Sequence, residues 1–222
     1  MKLNGTTMTD RTGTILAACR AAGADIPAFC HDDRVSTGGH CRACMVEVNG
    51  RIVPACSTPV RPGMQIETDT DRLRDYRRDL GELMLAESNA GALADTLRGW
   101  GCDGTRYGPH PGGGRRDQTH PYLRMDLDAC IKCRLCLKGC EEIQGQFVYA
   151  FEGRAGSTSL TWGEGRFDQT DCVSCGACAS LCPTGAISDV DRLRARVPSG
   201  DRVVRTTCSY CGVGCSMDVH VA

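Results

Sequence analysis

Residues 130–140 read CIKCRLCLKGC and residues 172–183 read CVSCGACASLCP, and these two stretches decide the fold. Each sets four cysteines at C-x2-C-x2-C-x3-C: Cys130, Cys133, Cys136 and Cys140, then Cys172, Cys175, Cys178 and Cys182. Three thiolates at that spacing can wrap three iron corners of one cubane, while the fourth lies too far round the turn and reaches the other cluster. The spacing predicts one [4Fe–4S] on Cys130, Cys133, Cys136 and Cys182. It predicts a second [4Fe–4S] on Cys172, Cys175, Cys178 and Cys140. Pro183 follows the last cysteine, whereas Glu141 stands after Cys140. Gly176 and Ala177 let the backbone come near the sulfurs and offer N–H donors. Structural zinc usually pairs two C-x2-C knuckles across a longer loop, which two tandem four-cysteine runs fit poorly.

The composition agrees with metal. The 222 residues include 17 cysteines and 27 glycines, with only 5% aromatics. A chain of this kind relies on cross-links or metal centres as well as apolar burial. The opening MKLNGTTMTDRTGTIL has no long apolar run, so no secretory signal is read there. No stretch approaches the roughly 20 apolar residues of a membrane span. The expected setting is the cytoplasm, where thiols stay reduced and an odd cysteine count is unremarked. Export by a partner carrying the signal is the alternative. Lys plus Arg number 26 against 27 Asp plus Glu, so no basic excess points to nucleic acid. Neither a nucleic-acid nor a membrane partner is expected.

Two further cysteine groups differ. Cys30, Cys41, Cys44 and Cys56 run as C-x10-C-x2-C-x11-C, a loop cysteine, a close pair and a distant fourth. That departs from the plant-type C-x4-C-x2-C pattern but keeps its arrangement, and four thiolates here imply [2Fe–2S], with zinc as the competing reading. The surroundings suit a small β-rich domain. Asn4-Gly5 and Asn49-Gly50 are turn signals, Thr14–Ala22 reads as a helix closed by Gly23, and Met45–Val48 reads as a short strand. Cys208, Cys211 and Cys215 form C-x2-C-x3-C, three ligands with no fourth in sight, so the alternative is an unmetallated loop. Cys19 is read as a buried apolar residue and Cys102 as a free thiol. His31, beside Cys30, is read as surface or second to the ligands.

These residues carry a resemblance. DIPAFC, GGHCRACMVEVNGR, VPACSTPVRPGM and ETDTDRLRDYRRDLGELMLAES resemble the N-terminal ferredoxin region of three relatives. They are the large iron–sulfur subunit of respiratory complex I, the diaphorase subunit of NAD-reducing hydrogenase, and NAD-dependent formate dehydrogenase. CIKCRLCLKGCEEIQGQFVYAF resembles the ferredoxin module that follows. RTTCSYCGVGCSMDVHV resembles the opening of a molybdopterin oxidoreductase domain, above all that of the formate dehydrogenase catalytic subunit. The family usually places a His and three cysteines between the helix after the β-grasp and the ferredoxin module. This chain has only Cys102 there, with His110 and His120 nearby, so that cluster is expected to be missing.

The resemblance implies an α+β organisation. Residues 1–68 would be a [2Fe–2S] β-grasp ferredoxin domain, and 69–124 a helix and Gly-rich linker. Residues 125–190 would be a bacterial-type two-[4Fe–4S] ferredoxin module, with an extra hairpin between Cys140 and Cys172. Residues 191–202 would link it to 203–222, the start of a molybdopterin-domain [4Fe–4S] motif. On the helix, Leu73, Tyr76, Leu80, Leu83 and Met84 are expected to form an apolar stripe, and Arg72, Arg74, Arg77 and Arg78 a solvated face. No nucleophile–base set and no phosphate loop is found, so no catalytic residue and no substrate site is assigned. The resemblance implies an electron relay between a Mo or W bis-pterin site that oxidises formate and an FMN-bearing partner that reduces NAD. Both lie in neighbouring domains or subunits, and a residue outside this chain would complete the Cys208 cluster. The chain would be either the front of a longer polypeptide or a split subunit. The alternative is the diaphorase-type subunit of an NAD-reducing hydrogenase, and a third reading is a zinc-stapled interaction protein.

Overall fold

A computed structural model describes residues 1–8, 13–108, 110, 112–190, 202–209 and 212–221. The chain forms two compact units, Met1–Asp189 and Val190–Ala222.

The first unit opens with strands β1 (Lys2–Leu3) and β2 (Thr6–Thr7), joined through Asn4 and Gly5 at φ 47° and 80°. Left-handed φ at both turn positions gives the twist a tight hairpin needs, which is why Asn-Gly stands there. Helix α1 (Ile15–Ala21) begins where the Thr14 side chain accepts the Ala17 N–H, and Gly23 follows its end at φ 77°. Strands β3 (Met45–Val48) and β4 (Arg51–Pro54) form a second Asn-Gly hairpin, and β5 (Gln65–Glu67) completes a five-stranded sheet. The strand order is β2-β1-β5-β3-β4, with β1 parallel to β5 and the other pairs antiparallel. Helix α1 packs Ile15, Leu16 and Cys19 against Val46, Val48, Ala55 and Ile66. A helix lying on such a mixed sheet is a β-grasp.

Helix α2 (Asp71–Glu87) follows, capped by the Thr70 hydroxyl on the Leu73 N–H. Of the expected stripe Leu73 is fully buried, Tyr76, Leu80 and Met84 are half-buried, and Leu83 alone departs at 48% exposed, while Gly81 and Glu82 are buried as well. Glu82 is buried because its carboxylate accepts the backbone N–H groups of Asp103, Gly104 and Arg106, which folds the following loop onto the helix. Arg77 also departs from the solvated face: its guanidinium donates to the carbonyls of Thr68 (2.8 Å) and Met45 (3.4 Å). Helix α3 (Ala94–Gly99) ends this segment.

The expected linker is not all loop. β6 (Arg116–Asp117) pairs with β7 (Leu123–Asp126), and β7 pairs with β10 (Ile187–Asp189) in a three-stranded sheet. The proposed boundary at 124/125 therefore falls inside a strand. Between β7 and β10 lie α4 (Leu135–Lys138), a π-helical turn over Gly139–Gln144, the hairpin β8 (Ala150–Glu152) and β9 (Ser159–Thr161), and α5 (Ala177–Leu181). The hairpin in the long interval is as the sequence reading has it. In the second unit, β11 (Arg202–Thr207) and β12 (Ser216–Val221) form an antiparallel hairpin.

The turn Ser88–Ala92 fixes the helices to the second module. Asn89 N–H donates to the Asp128 carbonyl at 2.8 Å, and Ala92 N–H to the Thr184 carbonyl at 3.0 Å. Gly91 sits there at φ 47°, and a Cβ on it would meet the Thr184 oxygen at 2.2 Å. No side chain fits that approach without moving backbone. Gly91→Ala is expected to cost about 1–3 kcal/mol and to lower the thermal midpoint, as read by calorimetry. An unchanged midpoint would mean that the turn is not docked on Thr184.

Candidate metal centres

The two tandem runs meet in space with their last cysteines exchanged. One cavity, with an empty volume of about 330 Å³, is lined by Cys130, Cys133, Cys136 and Cys182, walled by Leu127, Ile131, Phe151, Leu160 and Ile187. A second, of about 310 Å³, is lined by Cys140, Cys172, Cys175 and Cys178 with Val148 and Tyr149. Each cavity thus takes three thiols from one run and the fourth from the other. Backbone N–H groups point at the sulfurs: Ile187 at Cys182 (3.5 Å), Val148 at Cys140 and Ser174 at Cys172 (both 3.4 Å). Burial pushes the Cys133 thiol up to about 12 and that of Cys178 to about 11, and raises Cys136 well above its ordinary value. Desolvation disfavours an isolated thiolate here, so a cation is what would stabilise the ionised form.

Two features place these cysteines. Gly139, at the end of α4, lets the π turn lie against α5, since a Cβ there would stand 2.5 Å from Leu181 Cδ1. The π turn then carries Cys140 away from its own run. Lys132, Arg134 and Ser174, at φ 58°, 66° and 59°, bend each run between successive cysteines.

The four early cysteines are all buried, Cys44 and Cys56 in the β-grasp core and Cys30 and Cys41 in the neighbouring apolar cluster. The Cys41 thiol's hydrogen bond brings Cys30 down to about 5 against burial, and the Cys41 N–H adds to it at 3.3 Å. The Cys56 thiol likewise brings Cys44 down to about 6. The donors Cys41 and Cys56 are themselves pushed up, first by those hydrogen bonds and then by burial. Cys30 is thus paired with Cys41 and Cys44 with Cys56, and four such thiols have the donor chemistry a thiophilic metal takes. The donor chemistry at all three places fits iron–sulfur clusters.

Known proteins match along the same division. Residues 1–71 match the family of 2Fe-2S iron-sulfur cluster binding domains, 129–186 the 4Fe-4S dicluster domain, and 201–222 the molybdopterin oxidoreductase Fe4S4 domain. A component of an NADH-quinone oxidoreductase of Rhizobium meliloti is 30% identical over 221 residues, covering 93% of this chain and 26% of that protein. A Staphylococcus haemolyticus protein with a provisional formate dehydrogenase name is 24% identical, covering 98% of this chain and 27% of its own. A chain in the crystal structure of an NAD+-reducing [NiFe]-hydrogenase in the H2-reduced state superposes with TM-score 0.75 at 30% identity, over 85% of this chain and 86% of that one. The chain belongs to the iron–sulfur superfamily of complex I and NAD-reducing hydrogenases. It spans about a quarter of the length of the first curated relatives it matches. The character shared across this superfamily is iron–sulfur electron transfer in multi-subunit, NAD(P)-linked oxidoreductases.

Within this superfamily framework the remaining expected residues sort plainly. Cys208 and Cys215 flank the turn of the β11–β12 hairpin, with Cys208 N–H donating to the Cys215 carbonyl at 2.8 Å; Cys211 lies outside the described residues. Cys19 is buried in the β-grasp core. The Cys102 sulfur is buried against α2, 3.4 Å from the Arg78 carbonyl. His31 lies 3.2 Å from Asp33, His110 lies 3.2 Å from Asp128, and His120 accepts the N–H groups of Tyr122 and Leu123. None of the three lines either four-cysteine cavity, and His110 lines a neighbouring one with Cys130. Among the described residues no helix is long and apolar enough to cross a membrane.

Sequence reasoning missed the joint between the first and second modules. Phe29, Cys30, Val35 and Cys41 share one apolar cluster with Cys133, Leu135 and Leu181. Over it lies a polar clasp. Ser36 donates its N–H and its hydroxyl to the Glu142 carboxylate, each at 2.6 Å, and Lys138 Nζ donates to the Ser36 carbonyl at 2.5 Å. The Ser36 hydroxyl and then its N–H hold Glu142 below the usual carboxylate range. Arg34 reaches Ser180 on α5. Nothing in the spacing of Ser36 and Glu142, 106 positions apart, signals this pairing. Glu142→Ala is expected to speed hydrogen exchange at the Ser36 amide by about tenfold or more while leaving β3 and β5 protected. Equal protection in the variant would remove the clasp from the joint.

Proposed function

We propose that this chain is the iron–sulfur relay of an NAD-dependent formate dehydrogenase. Cys30, Cys41, Cys44 and Cys56 would hold a [2Fe–2S] cluster at the β-grasp of residues 1–68. Cys130, Cys133, Cys136 and Cys182 would hold one [4Fe–4S] cluster, and Cys172, Cys175, Cys178 and Cys140 the other. When bound, such clusters supply reversible one-electron exchange at potentials set by charge, hydrogen bonds to sulfur and exposure.

The protein's own residues do the rest. The largely apolar walls shield Cys133, Cys136, Cys140 and Cys178, which are buried, while Cys130, Cys172 and Cys182 are half-buried. N–H donors from Val148, Ser174 and Ile187 offset negative charge on them. The shared packing of Cys30 and Cys41 with Cys133 seats the β-grasp site beside the Cys130 site, so the Cys172 site is the far member of the series. There Cys175 is exposed, which gives that end an edge open to a partner.

The observation that carries formate rather than another donor is the match of residues 201–222 to the molybdopterin oxidoreductase Fe4S4 domain. It supports a neighbouring Mo or W bis-pterin domain or chain, with Cys208, Cys211 and Cys215 serving a cluster completed by a residue from outside this chain. A flavin-bearing, NAD-reducing subunit would be the other partner, and dense reduced thiols favour the cytoplasm. The hydrogenase structure supports a second reading, a diaphorase-type subunit of an NAD-reducing hydrogenase.

Anaerobic reduction of the whole assembly, followed by EPR, separates these. Formate, and not H2, is expected to develop the reduced signals; the reverse result assigns the chain to a hydrogenase. About 10 irons per copy would correspond to the three complete sites, and about 14 to a filled Cys208 site. Zinc in place of iron would end the relay reading. The exchanged ligand sets predict that Cys182→Ser degrades the cluster of the Cys130 run and spares that of the Cys172 run, with Cys140→Ser doing the converse. Loss within the run that carries the substitution would overturn the exchange.

A further inference from the structure

The stretch Phe147–Tyr149 lies between the two cysteine runs and belongs to neither. Phe147, itself exposed, is at φ 52°, a left-handed conformation uncommon for a bulky residue. The bend aims the next two residues at one cavity. Val148 N–H donates to Cys140 Sγ at 3.4 Å, and the Tyr149 hydroxyl donates to Cys178 Sγ at 3.4 Å. The two sulfurs come from different runs but line the same cavity.

The phenol is held firmly. Tyr149 is 5% exposed, and its ring stacks on Phe167 with centroids 5.8 Å apart. Phe167 is fully buried, meets Trp162 edge-on at 5.5 Å, and donates its own N–H to Asp117 at 2.9 Å. A buried hydroxyl without a partner is destabilising, so this one stays on the sulfur. At the other cavity the corresponding hydroxyl contact, Thr184 to Cys182, is longer at 3.6 Å.

We propose that Tyr149 sets the reduction potential of the cluster held by Cys140, Cys172, Cys175 and Cys178, by donating its hydrogen bond to the Cys178 sulfur. The inference rests on the iron–sulfur reading of that site. Reduction adds one electron and with it negative charge on the ligand sulfurs. An O–H donor gains more from a sulfur with more charge, so it favours the reduced form and raises the potential. The proton stays on the phenol oxygen and no bond to it breaks. Tyr149 is thus a positioning residue, fixed by Phe167 and read through one sulfur.

The test is a redox titration of the anaerobically purified assembly, followed by EPR, with iron counted per chain. Tyr149→Phe is expected to move one cubane midpoint to more negative potential, leaving the other cubane and the [2Fe–2S] signal in place. Cys172→Ser identifies which signal belongs to the far site, and the shifted midpoint should be that one. Replacing Tyr149 with 3-fluorotyrosine, a stronger donor of nearly the same size, is expected to move the same midpoint the opposite way. A full iron complement with an unmoved midpoint in Tyr149→Phe overturns the proposal, as does an equal shift of both cubanes. If Tyr149→Phe loses iron, the fluorotyrosine protein decides: a positive shift at the far site upholds the proposal and no shift overturns it. Wild-type protein with zinc and no reducible signal would instead mark failure of the iron–sulfur reading beneath it.

Discussion

The structure depends on one exchange. Neither four-cysteine run can surround a cavity by itself, because its fourth cysteine faces the other run's three. The two runs, separated by the β8–β9 hairpin, must therefore fold as one body. Gly139 permits the close approach of the π turn to α5, and β7 pairing with β10 ties the outer ends of the module together. The π turn is a local departure from the α-helical ladder of the kind that recurs at functional sites. Here its consequence is concrete: it carries Cys140 across to Cys172, Cys175 and Cys178.

From that body the rest of the first unit is hung by two joints of different chemistry. The turn Ser88–Ala92 is a backbone joint, closed by carbonyls of Asp128 and Thr184, and it tolerates only glycine at position 91. The loop that carries Cys30 and Cys41 is a side-chain joint, apolar beneath and polar above. The apolar layer packs Cys30 and Cys41 in one cluster with Cys133. The polar layer fixes which face of the loop is turned inward. Thr184 links the backbone joint to a cysteine cavity, since its carbonyl anchors the turn and its hydroxyl stands near Cys182.

Much of this was legible in the sequence, and the illegible part has a common cause. Cysteine spacing is a local code, so the exchanged sets could be written down from positions 130–140 and 172–183 alone. Asn4-Gly5, Asn49-Gly50 and Thr14 each act within a few residues, and each stands where its local rule requires. Leu83 and Arg77 were misread because helical periodicity cannot know what faces the helix. The loop at 103–106 drew Glu82 inward, and the carbonyls of Met45 and Thr68 drew in Arg77. The Gly-rich stretch hid β6, whose only signal is a partner strand several residues later. Tyr149 carries no motif at all; a tyrosine between two metal-binding runs gains meaning only when Phe167 and Cys178 surround it.

The second unit shows the same logic from the other side. In the β11–β12 register Val204 faces Val219, and Thr206 faces Met217. Since side chains alternate along a strand, Met217, Val219 and Val221 share one face with Val204, and the first three remain 39–43% exposed. Arg205 pairs with Asp218 on the opposite face at 2.9 Å. A two-stranded hairpin with one apolar face is marginal in water by itself. Cys208 and Cys215 close the turn of this same hairpin.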